Sequence, residues 1–158
     1  ENLLIIRKEH EIFPLIWAVT GQERSVIYQV MSPTTVWKIS REKYLEYLHG
    51  HPDSLAPILD MTIEMYRIHS ERIMSLEYRT VRERLISFLL GSAKRFGAKT
   101  KEGTLIDVPM RQQDIASSIN ASRETTGREL SVLERQGLIK VQKSLIILLD
   151  KTKLKSFL

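Results

Sequence analysis

The stretch "RQQDIASSINASRETTGRELSVLERQGL" (residues 111–138) decides the fold of this chain. It holds two helical patterns separated by a turn too short for anything but a sharp corner. Asn120 stands at that corner, and asparagine tolerates the left-handed backbone that such a corner requires. The stretch therefore predicts a helix-turn-helix. The inward faces of its two helices consist of Ile115, Ala116, Ile119, Thr126, Leu130 and Leu133.

Three charged residues stand at the start of the second helix, on the face away from that core: Arg123, Glu124 and Arg128. Arginine can donate two hydrogen bonds to guanine, and glutamate can accept one from cytosine in the major groove. A purely electrostatic DNA binder has no reason to present a carboxylate to a polyanion, so the mixed charges favour base readout. The alternative is an exposed helix with an ion pair between Glu124 and Arg128.

The two halves of the chain carry net charges of opposite sign. Residues 1–78 contain 8 Lys and Arg against 11 Asp and Glu, a net charge of −3, whereas residues 79–158 contain 16 against 8, a net charge of +8. Positive charge alone is compatible with a solvated surface or with nucleic-acid binding. Combined with a helix-turn-helix and a β-hairpin after it, the charge favours DNA binding.

The sequence patterns after residue 78 predict the other helices and strands of the second half. They predict a helix over 81–97, a polar loop over 98–104 and a short strand over 104–108, with Pro109 in the first turn of the next helix. Residues 137–150 then predict two strands around a turn, and a short lysine-rich helix follows.

The first half begins with three short segments that are rich in β-branched and aromatic residues. They predict strands over 2–7, 25–32 and 34–40. Three strands make a poor independent sheet, so we expect further strands to precede Glu1.

Two helices are predicted next, over 41–51 and 51–80. The longer one carries a stripe at alternating steps of four and three residues, which is the heptad spacing of a helix that packs along a twin. A homodimer is therefore expected, although the stripe alone is also compatible with packing inside one domain. A second apolar face, Ile58, Met61, Met65 and Ile68, would pack within the domain, so we expect the helix to do both. The predicted dimer-interface residues are Leu55, Leu59, Thr62, Tyr66, His69, Ile73 and Leu76.

Several classes of protein are disfavoured by the sequence. The chain has no cysteine, which excludes disulfides, cysteine-ligated zinc and cysteine-held iron–sulfur clusters within these residues. No apolar run approaches the roughly 18 residues of a membrane helix, and we expect a cytoplasmic protein without a membrane partner. His49, His51 and Asp53 could suggest a metal site, but histidines at a helix end are more often solvated, so we expect no metal. No catalytic constellation is recognisable, so we expect no enzyme.

The stretch "RQQDIASSINASRETTGRELSVLERQGLIKV" resembles the C-terminal winged helix of the CRP/FNR transcription regulators, and the resemblance extends back to "GQERS" (21–25). It implies an α+β fold. Its parts would be a truncated β-roll effector domain of the cyclic-nucleotide-binding type (1–50), a dimerisation helix (51–78) and a winged helix-turn-helix DNA-binding domain (79–158).

The resemblance also assigns roles to single residues. Arg123, Glu124 and Arg128 match the family's base-reading trio, in the version associated with TGTGA-type half-sites of a palindromic operator. Double-stranded DNA and RNA polymerase would be the partners of the homodimer. Glu129 departs from the family by occupying a usually aliphatic position. Gln112 stands where the family has an arginine, and Lys143 lies in the wing, which is the predicted hairpin after the helix-turn-helix. The residues expected to contact phosphates are Arg111, Gln112, Gln113, Ser122, Thr125 and Lys143.

The effector region departs further from the family. Members that bind cyclic AMP have a Gly-Glu pair for the ribose, where this chain has Phe13 and Pro14. Proline offers neither a carboxylate nor an amide donor, so we expect cyclic AMP binding to be lost or weak and leave the effector unknown. A rival interpretation is a ligand-sensing or protein-interaction dimer with a degenerate DNA-binding domain. The candidate effector-binding residues are Arg24, Ser25, His69 and Ser70.

Overall fold

The computed structural model describes Leu3 and residues 5–158. They divide into two compact units, residues 7–71 and residues 72–158, the latter together with the described residues before Arg7. None of the helices in this described part is long and apolar enough to cross a membrane. The helices and strands are α1 Leu15–Thr20, α2 Arg41–Gly50, α3 Leu55–Tyr78, α4 Val81–Phe96, β1 Gly97–Lys99, β2 Thr104–Ile106, α5 Gln112–Ile119, α6 Arg123–Arg135, β3 Ile139–Gln142, β4 Leu145–Leu148 and α7 Lys151–Lys155.

The three strands predicted in the first half are wrong. Within 2–7, 25–32 and 34–40 the described residues form no strand, whereas Asn2 and Leu4 lie outside the described part. A strand is stable only when a neighbour pairs with its N–H and C=O groups, and the described residues before α2 do not provide one. The side chain of Trp37 is accordingly 99% exposed. β-propensity alone could not establish the strands of the expected β-roll.

Helices α2 and α3 confirm the two helices predicted in this region. Ser40 caps α2 by accepting a hydrogen bond from the Lys43 N–H at 3.3 Å, and the helix ends at Gly50. A short 3-10 helix, Pro52–Ser54, leads into α3. The predicted inward face of α3 is also confirmed, because Met65 is buried and its neighbours on that face are half-buried.

Helix α4 precedes the helix-turn-helix in the second unit and confirms the helix predicted over 81–97. Its start is a capping box, in which the Thr80 N–H donates to Glu83 Oε2 at 2.7 Å and the Glu83 N–H donates to Thr80 Oγ1 at 3.4 Å. Hydrogen bonds from the Thr80 hydroxyl and backbone lower the pKa of Glu83. The carboxylate is therefore ionised where the positive end of the helix dipole favours it.

Two local predictions after α4 are wrong. The polar loop predicted over 98–104 begins as strand β1, because residues 97–99 pair with residues 104–106 of β2. Pro109 does not enter the first turn of α5, because the Arg111 N–H donates to the Asp114 carboxylate at 2.8 Å and the helix starts only at Gln112. Both depend on contacts that composition does not reveal.

The four strands form one antiparallel sheet in the order β1-β2-β4-β3. The hairpin predicted over 137–150 is confirmed as β3 and β4, with Gln142 opposite Leu145 next to the turn. The lysine-rich last helix is confirmed as α7, which Asp150 caps by accepting a hydrogen bond from the Lys153 N–H at 2.8 Å. Helix-turn-helix and hairpin together are the expected winged helix.

A single core joins α4, α5, α6, α7 and the sheet. All six residues predicted for the inward faces of α5 and α6 are buried. Each fully buried Leu or Ile contributes about 1.5–3 kcal/mol relative to exposure. The largest completely buried side chains are Leu85, Ile86, Leu89, Ile106, Ile115, Ile119, Leu133, Leu138, Ile139, Ile146, Leu148 and Leu154.

Thr126 is a completely buried polar residue of this core, and its replacement by valine is expected to stabilise the protein. Its side chain is completely buried, and among the described residues its hydroxyl has no hydrogen-bond partner. Valine has the same shape without the hydroxyl, so Thr126→Val should raise the free energy of unfolding by about 1–2 kcal/mol. Urea denaturation of the full chain measures the change. Thr126→Ser is the matched control, which retains the hydroxyl, leaves a small cavity and should destabilise. A valine variant less stable than the wild type would contradict the prediction.

Candidate nucleic-acid interface

The corner between α5 and α6 is built as the sequence predicts. Asn120 has φ 50° and ψ 57°, a left-handed conformation, and its N–H donates to the Ala116 carbonyl. The Ala121 N–H donates to the same carbonyl at 3.0 Å. These bonds end α5, and after residue 122 the chain has already turned into α6.

The start of α6 is organised by Ser122. Its Oγ accepts a hydrogen bond from the Thr125 N–H at 3.0 Å and donates to Thr125 Oγ1 at 2.9 Å. Two predicted phosphate-contacting residues are thereby brought together at a helix N-terminus. Such a terminus favours anions, because its N–H groups and dipole both point outward.

The predicted base-reading trio lies on the exposed face of α6. Arg123, Glu124 and Arg128 are all exposed, and Arg128 Nη2 donates to Thr125 Oγ1 at 3.2 Å. Among the described residues, Glu124 makes no ion pair with Arg128, which was the structural alternative for this pattern. The donors and the acceptor of the trio are therefore available to a ligand.

The outer face of α6 borders an open concavity. Gly127 shapes it, because a Cβ there would lie 3.0 Å from Gln112 Oε1. Without that Cβ, the side chain of Gln112 at the start of α5 reaches across to α6. The residues that line the concavity are Gln112, Thr125, Gly127, Arg128, Glu129, Ser131, Val132 and Arg135.

Arg111 lies at the start of α5 and forms a salt bridge with Asp114. Its Nε and Nη2 donate to the two carboxylate oxygens at 3.2 and 3.1 Å. Burial would raise the pKa of Asp114, but the hydrogen bonds from Arg111 outweigh it and lower that pKa. The hydrogen bond to Asp114 in turn raises the pKa of Arg111. The guanidinium is therefore a fixed cation, and its side chain is 72% exposed. Gln113, which donates to Ser117 at 3.3 Å, is also exposed.

The wing, which is the hairpin of β3 and β4, places Lys143 next to the segment that leads into α5. Lys143 is exposed and has a left-handed backbone, φ 56°, in the turn between β3 and β4. The next residue, Ser144, accepts a hydrogen bond from the Met110 N–H at 2.7 Å. This bond joins the wing tip to the segment that leads into Arg111, so two predicted phosphate contacts come from adjacent segments.

Two arginines of α4 also contact this region, and sequence reasoning missed both. Arg84 donates to the carbonyls of Ile119 and Asn120, and Arg82 pairs with Glu129 of α6. Residue spacing in the sequence could not identify either arginine, because their partners lie 35 to 47 positions away.

The predicted dimer-interface stripe lies at the surface of α3. Leu55, Leu59, Tyr66 and Ile73 are between 50% and 75% exposed. Thr62 and His69 are also exposed, whereas Leu76 is half-buried. Several apolar side chains in a line at helix spacing are unusual on a free surface.

The candidate effector residues lie in the unit of residues 7–71. Arg24 and Ser25 are exposed, and Ser70 of α3 is half-buried. The ring of Phe13, at the position expected for the ribose-binding pair, lies 4.9 Å from the ring of Tyr28 between centroids. That position is therefore occupied by an aromatic contact.

The two histidines that were considered as metal ligands lie against backbone carbonyls of α2. His49 Nδ1 lies 2.7 Å from the Leu45 carbonyl, and His51 Nδ1 lies 2.9 Å from the Tyr47 carbonyl. The described part of the chain contains no cluster of three or more His, Cys, Asp and Glu that could hold a metal.

Comparison with known proteins places these features in a family. Residues 83–157 match the family model of the Crp-like helix-turn-helix domain. The chain is 30% identical over 127 residues, 80% of its length, to the cAMP-activated global transcriptional regulator CRP of Salmonella typhimurium, and the match covers 60% of that protein. It is 29% identical over 149 residues, 92% of its length, to the global nitrogen regulator of Synechocystis, and the match covers 66% of that protein.

Two solved structures share the fold. A mutant of CooA from Carboxydothermus hydrogenoformans has a TM-score of 0.68 at 21% identity, over 73% of this chain and 54% of that one. FixK2 from Bradyrhizobium japonicum has a TM-score of 0.64 at 23% identity, over 75% of this chain and 58% of that one. The chain therefore contains a Crp-like helix-turn-helix domain over residues 83–157, and it resembles the CRP/FNR transcription regulators in sequence and in fold.

Proposed function

We propose that the chain is a sequence-specific DNA-binding transcription regulator that reads a palindromic operator with TGTGA-like half-sites through α6. The observation that carries this proposal is the exposed trio Arg123, Glu124 and Arg128, whose opposite charges form no ion pair with each other in the described part of the chain. Two bidentate donors and one acceptor are the groups that distinguish G·C pairs in the major groove. The helix-turn-helix places them at the N-terminal end of the second helix, where base contacts are made in such motifs.

Phosphate contacts would fix the position of α6 on the duplex. The N-terminus of α6 with Ser122 and Thr125, the start of α5 with Arg111, and the wing with Lys143 supply donors from three elements. Each neutralised phosphate releases counterions, so binding is expected to weaken steeply with salt. These contacts provide affinity on any sequence, and the trio provides the choice among sequences.

A homodimer would place two copies of α6 on successive turns of the major groove. The exposed apolar stripe of α3 supports this part of the proposal, because it follows heptad spacing over several turns. Two-fold symmetry of the protein then requires an inverted repeat in the DNA. As a transcription regulator the dimer would act in the cytoplasm, with RNA polymerase as a further partner.

The effector, if this chain takes one, is proposed to differ from cyclic AMP. The ring of Phe13 packs against Tyr28 where the family's ribose-binding pair would stand, and Pro14 contributes no amide donor. Arg24 and Ser25 are retained and exposed, so an anionic small molecule remains compatible with the chain.

Selection from a randomised duplex pool by the full chain tests the proposal, and Glu124→Ala sharpens it. The wild type is expected to recover an inverted repeat. In the Glu124→Ala variant the preference at one position of each half-site should relax by about 1–3 kcal/mol, because the acceptor for cytosine is lost. The affinity for random duplexes should stay nearly unchanged. Sequencing of the bound fraction measures both.

Glu124→Gln serves as the matched control. It removes the negative charge, keeps one hydrogen-bond acceptor and adds a hydrogen-bond donor. Glutamine pairs with adenine through two hydrogen bonds, so the preferred base pair at that position should shift instead of relaxing. An equal loss of affinity on random and selected duplexes in Glu124→Ala would remove this residue from base readout. Recovery of no preferred sequence by the wild type would contradict the proposed function itself.

A further inference from the structure

The guanidinium of Arg84 donates hydrogen bonds to three backbone carbonyls. Nε donates to Ile119 at 2.8 Å, Nη2 to Asn120 at 3.3 Å and Nη1 to Arg79 at 3.0 Å. The carbonyls of Ile119 and Asn120 stand at the C-terminal end of α5, where a helix leaves its last carbonyls unpaired. Because the guanidinium is planar and its donors are fixed relative to one another, Arg84 holds the corner in one conformation.

Arg82 makes a second connection from the same turn of α4. Its Nε lies 2.7 Å from Glu129 Oε2, and the two side chains are 40% and 22% exposed. Glu129 directly follows Arg128 of the base-reading trio. Successive residues of a helix are about 100° apart around its axis, so Glu129 lies on the flank of α6, between the buried face with Leu130 and the exposed face with Arg128.

These contacts restrain different movements of α6. The buried leucines hold the helix against the core, but the hydrophobic effect that buries them is not directional and does not by itself set the rotation of the helix about its axis. The ion pair on the flank opposes that rotation, and Arg84 fixes the corner from which the helix begins. Base readout depends on such control, because side chains must be held within about 0.5 Å and 10–20° of the productive geometry.

We propose that Arg82 and Arg84 are positioning residues that orient α6 for base readout, Arg82 through Glu129 and Arg84 through the corner at Asn120. The inference rests on the proposed function and deepens it. A partly exposed ion pair adds little to stability, so holding the fold together does not account for the pair between Arg82 and Glu129. Its expected effect is on discrimination between sequences.

The experiment compares the affinity of the full chain for the duplex selected by the wild type with its affinity for a random duplex of equal length. In Arg82→Gln and Glu129→Gln the ratio of the two affinities should fall about tenfold, because the trio is no longer held in register with the bases. The Tm should stay within a few degrees of the wild type. The charge-swapped double variant, Arg82→Glu with Glu129→Arg, should recover most of the ratio.

A second ion pair provides the matched control. Lys140 and Glu102 are 2.7 Å apart and their side chains are 42% and 51% exposed, but they join β3 to the turn between β1 and β2. Glu102→Gln should leave the ratio unchanged. Arg84→Lys retains the charge but cannot span the carbonyls of Ile119 and Asn120, so it should lower the ratio as well.

Two outcomes overturn the inference separately from the proposed function. Either the wild type discriminates and the Arg82 and Glu129 variants discriminate equally well, or the single variants lose discrimination and the charge swap does not restore it. A wild type that binds all duplexes equally overturns the proposed function first, and the positioning role with it.

Discussion

An Arg128→Ala variant is expected to bind the preferred duplex about 30-fold or more weakly than the wild type. Each subunit of the proposed dimer would lose a bidentate contact to guanine, worth about 1–3 kcal/mol, and the operator has two half-sites. The wild-type side chain is already oriented, because Arg128 Nη2 donates to Thr125 Oγ1 at 3.2 Å. Fluorescence anisotropy with selected and random duplexes, each over a range of salt concentrations, measures the loss.

The lysine variant of the same position separates charge from geometry. Arg128→Lys keeps a cation near the phosphates but replaces a planar fork by a single ammonium group. Its affinity for random duplexes and its salt dependence should match the wild type, whereas its preference for the selected duplex should fall nearly as far as in Arg128→Ala. If both variants lose the same factor on both duplexes, Arg128 binds phosphate and does not read bases.

The helix-turn-helix could be predicted from the sequence because its determinants are local. The apolar spacing of α5 and α6 fixes which faces are buried, and Asn120 marks the corner within a few residues of both. The hairpin of β3 and β4 is local in the same sense, since its strands are joined by a two-residue turn. Each of these elements is specified by residues close to it in the chain.

The rest depended on partners distant in sequence. The segments over 25–32 and 34–40 have strand-forming residues, but the described residues offer them no neighbour to pair with. Arg82 and Arg84 look like ordinary surface arginines until the fold brings Glu129 and Asn120 beside them. The residues proposed to read bases could therefore be named from the sequence of α6 itself, whereas the contacts that Arg82 and Arg84 make with α6 and its corner could not.

The turn between β1 and β2 packs against β4, which is distant in sequence. Gly103→Ala in this turn is expected to destabilise the protein strongly. The backbone of Gly103 has φ +157°, and a Cβ there would lie 2.1 Å from the Leu148 carbonyl oxygen of β4. Thr104 pairs with Leu148 in the sheet, so neither backbone can move away without breaking the ladder. The free energy of unfolding should fall by about 2–4 kcal/mol, as measured by urea denaturation.

Gly91→Ala is the matched control for this prediction. Gly91 lies inside α4 and is exposed, and among the described residues no atom beyond its own turns of the helix backbone lies within 4 Å of an added Cβ. Alanine restricts the unfolded chain and favours the helix, so this variant should be more stable than the wild type by about 0.5–1 kcal/mol. The same chemical change, one methyl group, thus has opposite expected signs at two glycines of one unit. Equal denaturation midpoints for Gly103→Ala and the wild type would mean that the turn does not pack against β4, because a methyl group cannot be accommodated 2.1 Å from a carbonyl oxygen.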